Sequence, residues 1–171
     1  MCEKYLLALN NNIVICRFGN IIGSSGSVYE IFDKQAQEGT ITVTHEDMER
    51  FFITTKEAVN NLIYSSNFNS GLYIFNMGNP VNIMNIAKTY RDIHNCKIDI
   101  IGLREGEKLK EKLHYDFEEI NPTLNNNIFE IITPINTEDK IRINKLVIDA
   151  ERYNKEELIN KFKEINNERN S

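Results

Sequence analysis

One arginine stands where it could hold an anion. Arg104 lies in GLREGEKL (102–109), just after the apolar run KIDII, with Gly106 and Glu107 following closely. A guanidinium fork grips a phosphate through two parallel hydrogen bonds, and a carboxylate three residues on can accept from ribose hydroxyls. The same residues also suit a surface turn with a solvated ion pair. Arg50 lies in HEDMERFF (45–52), between acidic residues and an apolar pair, where a salt bridge is the simpler reading. A third segment, RFGNIIGSSGS (17–27), is rich in Gly and Ser and separates an apolar run from a helical pattern. That is the position where α/β proteins turn backbone N–H groups toward a phosphate. No Lys follows its last glycine, as a P-loop requires, and its glycine spacing is not that of GxGxxG. A tight strand-to-helix turn needing small residues is the simpler reading.

Other chemistries find little support. His45, His94 and His114 are far apart in sequence without metal-ligand spacing, and Cys2, Cys16 and Cys96 form no CxxC pair, so no metal site is expected. Ser24, Ser25 and Ser27 belong to no GxSxG elbow and have no identifiable base. A net charge of −5 argues against a general nucleic-acid binder. No apolar stretch is long enough to span a bilayer, and MCEKYLLALN makes a poor signal peptide. With widely spaced cysteines, a cytoplasmic location is expected.

The elements that must carry these residues alternate between strand and helix, an α/β pattern. Residues 3–9 read as helix without an N-cap, and 13–18 (IVICRF) as a strand buried on both faces. Ser27 and Glu30 fit a capping box for a helix with Val28, Ile31 and Phe32 along one face. TITVT (40–44) alternates as a half-exposed strand, and 51–54 is a second short one. A helix over 56–66 is expected to bury Ala58, Val59, Leu62 and Ile63, followed by the strand LYIFNM (72–77). The next helix, 83–94, uses Ile83, Ile86, Ala87, Tyr90 and Ile93. Residues 97–101 form a strand, 107–113 a short helix, 128–133 a late strand and 144–152 a helix. Asn154 and Glu157 cap the last helix.

Taken together and in order, RFGNIIGSSGSV, TITVTHEDMERFFITTKEAV, IFNMGNPVNIMNIAK and GLREGEKLKEKLHYD resemble the CapD-like polysaccharide biosynthesis family. The likeness runs over about residues 1–135, including the tail INPTLNNNIFEI. Members are extended short-chain dehydrogenase/reductases, many of them UDP-N-acetylglucosamine 4,6-dehydratases. The resemblance implies the C-terminal part of an extended Rossmann fold plus its small substrate-binding lobe. On that view residues 1–23 are the last helix and strand of an NAD(P)-binding Rossmann domain. Residues 24–135 are the sugar-nucleotide-binding lobe with returning Rossmann elements, and 136–171 a C-terminal helical extension.

In that family NAD or NADP oxidises the sugar at C4, water leaves across C5–C6, and the hydride returns to C6. The resemblance implies that Asn20, Arg50 and Arg104 bind the diphosphate and that Glu107 meets the uridine ribose. Ser24 and Ser25 would line the sugar pocket, and the strand around Thr42–Thr44 would lie near the uracil. Arg17 and Phe18 would sit beside the nicotinamide and touch it mainly through backbone. The family's glycine-rich cofactor turn and YxxxK pair are missing from these residues, so no catalytic residue is assigned. The chain is therefore expected to be a fragment, inactive alone and poorly soluble, whose partners are a UDP-sugar and a separately encoded N-terminal half, with homo-oligomers as in the family. A stand-alone UDP-sugar-binding module and a nonfunctional remnant are the other readings.

Overall fold

The computed structural model describes residues 12–134 throughout, together with residues 3, 6, 7, 141, 145, 154, 156, 157 and 160. The chain divides into one unit of Val14–Thr133 and a second made of Met1–Ile13 with Pro134–Ser171.

Within Val14–Thr133 a four-stranded sheet runs in the order β1 (Val14–Arg17), β6 (Gly71–Phe75), β10 (Ile128–Ile132), β9 (Glu119–Pro122). β1 and β6 are parallel, with Cys16 beside Tyr73, while β10 is antiparallel to both of its neighbours. Parallel strands need a long crossover, and the chain between β1 and β6 supplies it. That crossover holds β2 (Asn20–Ile22), α1 (Val28–Gln37), β3 (Thr40–Val43), β4 (Glu49–Arg50), β5 (Phe52–Thr54) and α2 (Thr55–Ser65). After β6 come β7 (Val81–Asn82), α3 (Ile83–His94) and β8 (Lys97–Ile100). Three ribbons complete the unit: β2 with β5 and β3 with β8 in parallel, β4 with β7 antiparallel.

Two cores follow. Phe32 and Ala36 of α1, Ile41 and Val43 of β3, and Ile83, Ile86 and Ala87 of α3 close one of them, as the period-two and helical patterns require. Ile53, Ala58, Tyr73, Phe75 and Ile128 close the other, against the sheet. The helix starts are written locally. Thr54 and Glu57 form a reciprocal capping box on α2, and the Asn82 side chain accepts from the Asn85 N–H on α3. On α1 Ser27 caps the Glu30 N–H, but the Glu30 carboxylate accepts from Gly26, one residue before the expected position. In the second unit Asn154 and Glu157 cap each other's N–H groups, as expected. Glu3, Leu6 and Leu7 are helical. Of the helix expected at 144–152, all but residue 145 falls outside the described residues.

Several expectations are corrected. Residues 107–113 form no helix: the Leu109 carbonyl accepts from Glu49 N–H, and Lys110 bridges Glu49, so the backbone is spent on β4. Val59, Leu62 and Ile63 are exposed, because α2 meets the sheet through the small side chains of Ala58 and Ser65, which turns its bulkier face outward. Ile31 and Ile93 are exposed as well, on the outer sides of α1 and α3. β1 is half-buried rather than buried on both faces, since among the described strands only β6 pairs with it.

Candidate functional site

The strand–loop junctions bring four of the singled-out residues together. Arg50 ends β4, Thr44 follows β3, and Arg104 and Glu107 lie on the loop after β8. Because β3 and β8 pair in register, Val43 beside Ile100, their C-terminal ends leave the ribbon side by side. The Ile101 N–H donates to the Val43 carbonyl and carries the pairing one step further. A tight turn then reverses the chain: the Glu107 N–H donates to the Arg104 carbonyl over 3.0 Å, and Gly106 takes φ 79°, which costs glycine nothing.

The Glu107 carboxylate sits at the centre. Its Oε2 accepts the Arg104 backbone N–H at 3.0 Å. Its Oε1 lies 3.3 Å from the Thr44 hydroxyl and 3.9 Å from Arg50 Nη2. Arg50 Nη1 also donates to the carbonyls of Glu49 (2.8 Å) and Leu109 (3.2 Å), and its Nε lies 3.5 Å from Glu111. Arg50 is thus a strut between β4 and the loop and a neutralising charge between two carboxylates. Arg104 is its opposite: it is exposed, and its guanidinium has no partner among the described residues. The Thr44 hydroxyl, Arg50 and the Arg104 backbone N–H thus meet on one carboxylate, and the exposed Arg104 guanidinium on the same loop is free among the described residues to take an anion.

Asn20 opens β2 and is exposed; its N–H donates to Phe51 O at 2.8 Å. Its side chain has no hydrogen bond among the described residues. β2 thereby lies against the residues that directly follow Arg50. Ser24 donates its hydroxyl to Ile21 O at 2.9 Å, and Ser25 is exposed in the turn before α1. Gly19 is required by close approach, since a Cβ there would stand 2.6 Å from Phe51 O. Gly19→Ala must push β2 from β5, and the thermal midpoint is expected to fall by the equivalent of about 1–3 kcal/mol.

Phe18 stacks on Phe75 with ring centroids 5.2 Å apart and planes 3° from parallel. Arg17 binds both oxygens of Glu118, at 2.7 and 2.8 Å, and the Leu113 carbonyl at 3.1 Å. Both side chains at the end of β1 are therefore engaged inside the unit. Glu118 is the functional-looking residue that sequence reasoning missed. The signal was Arg17 itself, a cation in an otherwise apolar strand that needs a carboxylate, although nothing local names which one. Burial pushes the Glu118 carboxyl up, but the Arg17 fork, the Tyr115 N–H and the Thr133 hydroxyl outweigh it and hold it below its ordinary value. Such a depressed acid contributes stability above its unfolded pKa and loses it as pH falls through the folded one. Urea unfolding should show stability declining below about pH 4, with a flatter slope in Glu118→Gln.

An apolar cavity of about 460 Å3 opens beside the cluster, between the end of β6 and residues 111–116. Phe51, Phe75, Met77 and Leu113 line it, with Glu111 and His114 at its polar edge. Among the described residues no group of His, Cys, Asp and Glu could hold a metal ion. No described helix is long and apolar enough to cross a membrane.

A family model described as polysaccharide biosynthesis protein matches residues 1–133. Capsular polysaccharide biosynthesis protein CapD of Staphylococcus aureus is 35% identical over 135 residues, 71% of this chain and 22% of CapD. UDP-glucose 4-epimerase of Rickettsia canadensis (strain McKiel) is 36% identical over 109 residues, 60% of this chain and 32% of the epimerase. Among solved structures, Pen from Bacillus thuringiensis superposes with a TM-score of 0.67 at 26% identity, covering 77% of this chain and 45% of Pen. The chain thus spans less than half the length of each of these proteins.

Proposed function

The chain belongs to the polysaccharide biosynthesis protein family, and from that premise we propose that it supplies the sugar-nucleotide clamp of a nucleotide-sugar 4,6-dehydratase acting on UDP-N-acetylglucosamine. Its α/β fold is the C-terminal part of an extended short-chain dehydrogenase/reductase Rossmann fold with its small lobe. The observation that carries the reading is the meeting of Thr44, Arg50 and the Arg104 backbone N–H on the Glu107 carboxylate. In the clamp Arg104 takes the diphosphate, and Arg50 turns from Glu107 and Glu111 to share it. Glu107, relieved of that partner, accepts from the ribose hydroxyls, and Thr44 lies on the base side. Asn20 adds a side-chain amide to the diphosphate, and Ser24 and Ser25 line the sugar.

Arg17 and Phe18, at the end of β1, are where this chain would meet the dinucleotide. With the Phe18 ring on Phe75 and the Arg17 guanidinium on Glu118, only backbone groups remain there to face a nicotinamide. That fits a cofactor whose pyrophosphate is cradled elsewhere. NAD or NADP, when bound, supplies reversible hydride acceptance from the sugar C4. The glycine-rich turn and the proton-transfer groups come from an N-terminal half, in a cytoplasmic homo-oligomer. A second reading, a UDP-sugar-binding module, is favoured by the whole cluster lying within Val14–Thr133.

The test is reconstitution. The chain is incubated with UDP-N-acetylglucosamine and NAD(P)+, with and without a separately produced NAD(P)-binding half, and dehydrated product is sought by mass spectrometry. Product only in the complete mixture supports the dehydratase. Tight UDP binding with no product in any mixture leaves the module, and absence of UDP binding removes both.

A further inference from the structure

We propose that the Arg17–Glu118 pair is a positioning device that pins the loop carrying Arg104 and Glu107 to the end of β1. The functional half of this rests on the clamp reading above.

Residues 104–118 lie between β8 and β9 without a helix or a named strand, so their placement depends on a few anchors. The first group lies at 107–111: Leu109 O accepts from Glu49 N–H and Arg50, and Lys110 pairs with Glu49 at 3.1 Å. The second lies at 113–118 and is built on one arginine. Arg17 holds Leu113 O and both Glu118 oxygens, and its guanidinium lies over the Tyr115 ring at 5.6 Å from the centroid. Glu118 in turn accepts from the Tyr115 N–H and from the Thr133 hydroxyl after β10, each at 2.8 Å. Its side chain is only 1% exposed and that of Arg17 15%.

Stability alone is a poor account of such a pair, because well-packed apolar residues serve a buried site as well or better. A bidentate fork fixes direction as well as distance, and Leu113 O adds a third point. The result is one allowed path for the loop. Loosening the second anchor lets 107–111 ride away from β4, and Glu107 leaves Thr44 and Arg50.

The test uses the 171-residue chain. Arg17→Lys keeps the charge and loses the fork. Exchange of the Glu49 amide hydrogen, bonded to Leu109 O and remote from the substitution, is expected to accelerate about tenfold without global unfolding. The Kd for UDP is expected to rise about tenfold. Thr133→Val, which weakens the seat of Glu118 but spares the fork, should lower the thermal midpoint and leave both readouts within about twofold of wild type. An Arg17→Lys chain with a lower thermal midpoint but unchanged Glu49 exchange and unchanged UDP affinity overturns the proposal. Should Arg17→Lys fail to fold, the apolar pair Arg17→Met with Glu118→Leu removes the pin without leaving a buried charge, and the same two readouts apply. Accelerated exchange in a chain whose wild type binds no UDP supports the pin and overturns the clamp reading instead.

Discussion

Arg50→Ala is expected to lower affinity for UDP about a hundredfold, the scale found when one member of a desolvated charge pair is truncated. The residue acts twice. It is 12% exposed at the side chain and ties Glu49 O and Leu109 O together, so its loss frees residues 107–111 from β4. It also stands between Glu107 and Glu111, whose carboxylates would then face an incoming diphosphate with no compensating charge. Affinity and thermal midpoint should fall together. Calorimetric titration with UDP and a thermal melt on the same sample check both.

Arg104→Ala is expected to separate the two. Its guanidinium is exposed and holds no described residue, so stability should change by less than about 0.5 kcal/mol. Affinity for UDP should nonetheless fall roughly tenfold or more, as for a lost charge-assisted hydrogen bond. The remaining affinity should also depend less on salt, because an exposed cation is screened where a buried one is not. Titrations at low and high ionic strength provide the check. An Arg104→Ala chain that melts early would mean the side chain has structural partners after all.

The contrast between these arginines shows where the sequence was legible. TITVT, LYIFNM and the helix at 83–94 announce themselves by periodicity, and the structure places β3, β6 and α3 within a residue or two of those ranges. The two-residue strands β4 and β7 carry no period and form where they meet each other and where Glu49 meets the loop at Leu109 and Lys110. The loop at 107–113 has helical spacing and good helix formers, yet Glu49 and Arg50 claim its carbonyl at Leu109. The buried face of α2 departs from its apolar pattern for a related reason. Leu62 and Ile63 are the apolar residues, but the sheet leaves room only for Ala58 and Ser65.

At the site, an ordinary salt bridge was the simplest reading of Arg50, and it does pair with Glu107 and Glu111. What sequence could not show is that Thr44, 63 residues from Glu107, shares the same carboxylate. Long-range placement of that kind follows from the β3–β8 register, which no local pattern encodes. Asn20, Ser24 and Ser25 lie on β2 and its turn, on the strand paired to the residues after Arg50.

The most direct measurement is calorimetric titration of the 171-residue chain with UDP-N-acetylglucosamine, beside Arg104→Ala. One saturable site in the wild type, weakened in the variant while both melt at the same temperature, is the predicted result. No saturable binding, or the same affinity in both chains, would contradict the clamp.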